Sequence, residues 1–292
     1  MSTYSFYKDL LIRLNVKNYS QVIKLLFDDD FQFYDNYRRK YKNKINNCIQ
    51  EGGASTYTYS YASYKFMIHQ DKDENLMTFH IYNNDNVNDL TCVILLIELK
   101  EQFVNVQSIS SLDNCAINGM PKTKKGTLLL HMVIDFIKKK LKPLYNLKYI
   151  QLKDNSFYFC QKNKTRIDFC SLYMLTKGDT WYGKHNFVPF NPNAKKIDLE
   201  MNINYKVNQR LVDIIKVKCV SLDKYLKATK LLSDNQINNI IKKYKNTSVK
   251  DFMNIFMEDY DKSCEIFSMI YKDLMTEMKL TNLHGITYFL PI

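Results

Sequence analysis

Residues 121–136 read PKTKKGTLLLHMVIDF. Three lysines crowd a short loop, a glycine closes it, and an apolar run begins at once. Leu128, Leu129, Met132, Val133, Phe136 and Ile137 recur at helical spacing, which predicts a helix with one buried stripe. The identity of the elements on either side of this loop and helix decides the fold.

Upstream lies FVNVQSIS (residues 103–110), an alternating stretch that predicts a strand. Three more β-branched and aromatic stretches precede it: TYTYSYASYKFMI (56–68), LMTFHIYN (76–83) and TCVILLIEL (91–99). Earlier still, EGG at 51–53 follows two expected helices, at 19–27 behind a Ser20 cap and at 31–49. Downstream, KYIQLKD (148–154) predicts a strand, Asp154-Asn155-Ser156 a turn, 170–182 a helix, 187–190 a strand and NPNAKK a loop.

After Glu200 the pattern changes to long amphipathic runs. SDNQ (233–236) and SVKD (248–251) are capping-box patterns. A final long helix is expected to carry Phe252, Phe256, Tyr260, Cys264, Phe267, Tyr271 and Leu274 on one face. The expected class is α+β, a mixed central sheet flanked by helices. Residues 1–200 would form that domain and residues 201–292 a helical C-terminal region packed on it.

The chain has 292 residues, 46% hydrophobic and 14% aromatic, with 22 tyrosines and 17 phenylalanines against 7 glycines and 5 prolines. That is ample material for a buried core. Forty-two basic residues against 30 acidic ones give +12, a balance that fits either a solvated basic surface or a polyanionic partner. Seven cysteines, at 48, 92, 115, 160, 170, 219 and 264, show no CxxC pair, so free thiols in a reducing compartment are expected. The opening MSTYSFYKDLLIRL lacks a signal-type apolar core, and no run approaches the ~20 apolar residues of a membrane span. An intracellular soluble protein, cytoplasmic or nuclear, is the expectation.

The order of elements resembles the GNAT superfamily of N-acetyltransferases, and two motifs carry the resemblance. In that family a Q/R-x-x-G-x-G/A loop and the following helix N-terminus hold the pyrophosphate of acetyl-CoA. PKTKKG is laid on it with Gly126 in place and Lys124 where the first glycine should be. Glycines let the backbone approach phosphate, and a helix N-terminus offers oriented N–H groups. The resemblance therefore implies Lys124, Lys125, Gly126 and Thr127 as cofactor contacts. The second motif is TWYGKHNFVPF (180–190), similar to the family's A-x-x-x-Y-x-x-x-G-F, with Tyr182 on the tyrosine, Phe187 on the phenylalanine and Asn186 replacing the glycine. Asparagine tolerates the left-handed conformation that position needs.

The resemblance implies an acetyl-CoA-dependent N-acyltransferase in which an amine, a small molecule or a protein, attacks the thioester directly. Tyr182 would protonate the departing thiolate, and Asn155 stands where an asparagine often contacts the cofactor. SFYFCQKNKTRIDF (156–169) interrupts the family pattern as an insertion the size of a helical hairpin or β-hairpin. The combination of a Lys/Asn-rich chain with SLYMLTKGDTWYGKHNF also resembles proteins of large DNA viruses.

Glu98, ending VILLIEL, is the best-placed general base on the central strands, with Glu101 and Asp113 behind it. Histidines at 69, 80, 131, 185 and 284 lack metal-ligand spacing, so no metal is expected; His131 reads as a core histidine. Cys160 or Cys170 with His185 could make a Cys/His hydrolase, though buried inert thiols fit them better. No P-loop, G-x-S-x-G or dinucleotide fingerprint is present. Arg38, Arg39, Lys40, Lys42 and Lys44 interleave with Tyr34, Tyr37 and Tyr41, which fits an exposed helix face or a nucleic-acid contact. The alternative function is accordingly an inactive GNAT-like scaffold serving a structural or nucleic-acid-associated role.

Overall fold

The computed structural model describes residues 55–82, 91–110, 115, 125–193, 196–260 and 262–292. The expected helices before residue 51, with Arg38, Arg39, Lys40 and Lys42, lie outside the described residues, as do Lys124 and Asp113. The chain divides into two compact units. Among the described residues, the first covers residues 55–153 and takes in Thr287–Ile292, and the second is Asp154–Ile286.

The first unit is a sheet with a helix on it. Strands β1 (Ser55–Tyr61), β2 (Tyr64–Asp73), β3 (Leu76–Tyr82), β4 (Val93–Glu98) and β5 (Phe103–Ile109) pair antiparallel in chain order. Helix α1 (Lys125–Phe136) follows, prolonged by a π turn at Ile137–Leu141 and a short α2 (Lys142–Tyr145). The chain then enters β6 (Tyr149–Lys153), which lies parallel to β5, with Phe103 opposite Tyr149 and Val106 opposite Leu152. On the other side of β6 the C-terminal strand Thr287–Pro291 pairs antiparallel, Tyr288 facing Leu152.

Alternation decides which face is dry. Phe66 and Ile68 of β2, Met77, Phe79 and Ile81 of β3, and Val93, Leu95 and Ile97 of β4 are buried. Leu129, Met132, Val133, Phe136 and Ile137 are buried too, as the stripe predicts, while Leu128 is half-buried. The Phe136 ring meets Phe79 at 6.0 Å and Tyr59 at 5.0 Å, edge-on in both cases. Each such side chain is worth about 1.5–3 kcal/mol of transfer free energy. The Tyr59 hydroxyl donates to Asp135 Oδ2 at 2.6 Å, which ties β1 to the helix.

The second unit is mainly helical. It opens with a hairpin, β7 (Phe157–Cys160) and β8 (Thr165–Asp168), so the insertion is of the β type. Then come α3 (Phe169–Lys177), the short hairpin β9 (Val188–Asn191) and β10 (Lys196–Ile197), and α4 (Leu199–Ile214). Helices α5 (Leu222–Thr229), α6 (Asp234–Tyr244), α7 (Val249–Asp259) and α8 (Ser263–Glu277) complete it. Leu175, Leu211, Phe252, Phe256, Phe267 and Leu274 lie in one buried cluster with Cys160 and Ile167 of the hairpin. Ser233 and Gln236 form the full capping box, and Ser248 Oγ accepts from Asp251 N at 3.1 Å.

Several expectations are corrected. TYTYSYASYKFMI is a hairpin rather than one strand, turning at Ala62 and Ser63, whose φ values are 47° and 68°. Both central residues of a type I′ turn need positive φ, normally signalled by Asn-Gly, and here the signal is missing. The helix expected to reach residue 182 stops at Lys177, closed by Gly178 in the left-handed region (φ 71°). The final long helix is two helices, broken before Lys262, which takes φ 57°. His131 is exposed on α1 rather than in the core. Four of the cysteines expected as thiols are paired, Cys92 with Cys115 and Cys160 with Cys264, and Cys170 and Cys219 are free. The second pair spans 104 residues, a proximity set by packing of the hairpin on α8.

Among the described residues no helix is long and apolar enough to cross a membrane.

Candidate functional site

Tyr182 is presented by a tight turn built from side chains of the second unit. Past Gly178, Asp179 Oδ1 accepts from Thr180 N at 2.7 Å and from the Tyr205 hydroxyl. Thr180 Oγ1 then accepts from Gly183 N at 3.0 Å. A Cβ at residue 183 would overlap the Tyr205 hydroxyl and the Asp179 carboxylate, so glycine is required there by space. A turn of 3₁₀ helix, Gly183–His185, leads to Asn186, which takes the left-handed conformation (φ 65°, ψ 21°) expected of it. Tyr182 is buried, its ring edge-on to Trp181 at 4.8 Å and to Phe187 at 5.9 Å.

The carboxylate beside this tyrosine was not singled out by sequence. Asp154 follows β6 directly and is 1% exposed. Both of its backbone groups bond one segment, donating to Ile286 O at 3.0 Å and accepting from Gly285 N at 2.7 Å. Oδ1 accepts from Ser156 N at 3.1 Å and from the Ser156 hydroxyl. Oδ2 is buried with no hydrogen-bond partner. Burial raises the Asp154 carboxyl above its ordinary range; the Ser156 bonds and nearby His284 pull it down, and Asp168 pushes it up. Burial, and then the Asp154 charge, raise the Tyr182 phenol in turn.

Around these two stand further titratable groups. Cys170, in the first turn of α3, is buried, and burial followed by the charges of Asp154 and Asp168 pushes its thiol up to about 12. A thiol so displaced is not a nucleophile at neutral pH. Asp168 lies 3.8 Å from His284 Nδ1 and accepts from the Tyr271 hydroxyl at 3.5 Å. The Tyr271 phenol is pushed up to about 12, by burial first and Asp168 second. The cluster thus gathers two carboxyls, two phenols, a thiol and an imidazole, and the phenols and the thiol hold their protons at neutral pH.

The other expected site residues fall as follows. Asn155 is exposed beside Asp154. Cys160 is disulfide-bonded, so it is no nucleophile here, and His185 packs its ring on Trp181 at 5.6 Å. In the first unit, Lys125, Gly126 and Thr127 form the start of α1, Lys125 buried at 4% and the other two half-buried. Glu98 is exposed and sits opposite Phe103, the end of β5 far from where the chain leaves for α1. Among the described residues no group of three or more His, Cys, Asp or Glu is placed to hold a metal ion.

Asp154 was hidden because its burial is set by residues 285–286, far along the chain. The one local signal was the Asp-x-Ser spacing, legible as a turn and not as a buried carboxyl.

No protein-family model, curated protein or solved structure matches the chain.

Proposed function

We propose that the chain is a GNAT-like, acyl-CoA-dependent N-acyltransferase. The observation that carries this reading is the arrangement of β5 and β6: parallel neighbours joined through α1, whose pairing ends at Val106 and Leu152 while β5 runs on to Ile109. Two parallel strands that part company beyond a short shared ladder leave backbone groups open to an extended ligand. Tyr182, followed by left-handed Asn186 and a strand, supports the reading from the other motif.

Acetyl-CoA, when bound, supplies a thioester whose acyl group passes to an amine. Lys125, Gly126 and Thr127 at the start of α1 would be the residues that contact its pyrophosphate. Tyr182, raised by burial and by Asp154, keeps its proton throughout the physiological range, the form a proton donor must hold. With acetyl-CoA bound, Tyr182 would hold the proton that the departing sulfur needs. The reading assigns proton acceptance from the amine to Asp154 Oδ2, buried and without a partner, in place of exposed Glu98. Burial moves its carboxyl upward, toward the basicity that work at neutral pH requires.

Calorimetric titration with acetyl-CoA and CoA tests the reading. Micromolar affinity is expected for the wild type, kept by Tyr182→Phe and lost in Gly126→Trp, whose bulk fills the helix start. Absence of heat with the folded wild type would overturn it.

A further inference from the structure

The β7–β8 hairpin presents an unusual outer face. Tyr158 lies opposite Ile167, and Cys160 opposite Thr165. On that face Ile167 and Cys160 are buried in the helical core, while Tyr158 is 40% exposed and Thr165 is exposed. The opposite face therefore carries Phe157, Phe159 and Arg166. Phe157 is 48% exposed and Phe159 38%, at positions where a solvent-facing strand is normally polar. Arg166 extends its guanidinium over the Phe157 ring, 4.4 Å from the centroid. At the tip, the turn of residues 161–164 contains Lys162 and Lys164. The acidic residue of this face, Asp168, stands at its base beside His284.

The hairpin is also held firmly. Cys160 is bonded to Cys264, Asn163 Nδ2 donates to Ser268 Oγ at 2.7 Å, and Ile167 is sunk in the core. Two phenyl rings, two residues apart on one strand face and so about 7 Å apart, stand on a fixed platform flanked by cations.

We infer that this face binds single-stranded nucleic acid, with bases stacked on Phe157 and Phe159 and phosphates drawn to Arg166 and Lys164. Unpaired bases offer the π faces that exposed phenyl rings complement, and the backbone offers the negative charge that the lysines and arginine complement. A lipid surface fits less well, because the rings stand on the flat of the strand and the turn beside them is polar. A duplex fits less well too, since its bases are already stacked on one another.

The test is fluorescence anisotropy with a fluorescein-labelled oligo(dT) of about 20 nucleotides. Micromolar or tighter binding to the wild type is expected, weakened at least about tenfold in Phe157→Ala/Phe159→Ala. Arg166→Ala should reduce the log–log salt slope by about one. Unchanged melting of the variants will show that the fold survives, as their exposure requires. The inference is overturned by no binding, by equal binding of the double variant, or by preference for a duplex of the same length. It is overturned too if phosphatidylserine vesicles bind in place of the oligonucleotide and lose binding in the double variant. CoA titration and this assay are independent, so either result stands without the other.

Discussion

Asp154 is the residue through which the site becomes measurable. Its carboxyl is raised by burial, so the folded chain holds that proton more tightly than the unfolded chain does. The sign then follows: a group whose native carboxyl is raised takes stability away as pH climbs from its ordinary value of 3.8 through the raised one. Each unit of displacement is worth about 1.4 kcal/mol. Asparagine cannot ionise and keeps an acceptor for the Ser156 donors. The melting temperature of Asp154→Asn relative to wild type is therefore expected to rise as pH climbs from 3.8 through the raised value. A flat difference would mean that the carboxylate is ionised and accommodated, and Asp154 would lose its part in proton transfer. Sequence made other residues of this site legible. Asn186 could be foreseen because left-handed backbone has a short list of tolerant residues. Asp154 could not, since an Asp-Asn-Ser triplet looks the same at a solvated turn.

Elements were legible where their periodicity was local. The α1 stripe and the strand alternation needed only their own residues, and both are recovered in the burial. Misreadings came where punctuation was absent or ambiguous. Gly178 did mark the end of α3, but the aromatic pair Trp181 and Tyr182 beyond it masked the stop. The break between α7 and α8 preserves the i, i+4 spacing of Phe252, Phe256, Tyr260 and Cys264, so periodicity runs across it unaltered. The β1–β2 turn is the clearest case, with Ala62 and Ser63 holding a conformation that suits Asn and Gly. Replacing them, Ala62→Asn/Ser63→Gly, relieves positive φ at both positions without touching the core. The expected gain is about 1 kcal/mol, seen as a higher urea midpoint at unchanged m-value. A loss of stability would show instead that the alanine–serine turn is favoured by contacts of its own.

The architecture of the whole molecule rests on a return that no local pattern announces. The chain leaves the sheet unit after Lys153, builds all of Asp154–Ile286, and comes back as Thr287–Pro291 to pair with β6. Sequence reading gave the C-terminal region to helices because five residues at a terminus carry too little pattern to outweigh what precedes them. Yet Tyr288 is fully buried, with Phe289 and Leu290 nearly so, and the strand supplies β6 with its antiparallel neighbour. Tyr288→Ala is thus expected to cost about 3–5 kcal/mol, the range for deleting a large aromatic from a core. Tyr158→Ala, a tyrosine of the same size that is 40% exposed on β7, is expected to cost about 0.5 kcal/mol or less. Urea unfolding of the two variants beside the wild type measures both. Equal costs would mean that the C-terminal strand is not an integral part of the sheet. With β6 then an edge, the parallel pair on which the acyltransferase reading depends would stand at the margin of the sheet, exposed along the side that the final strand covers.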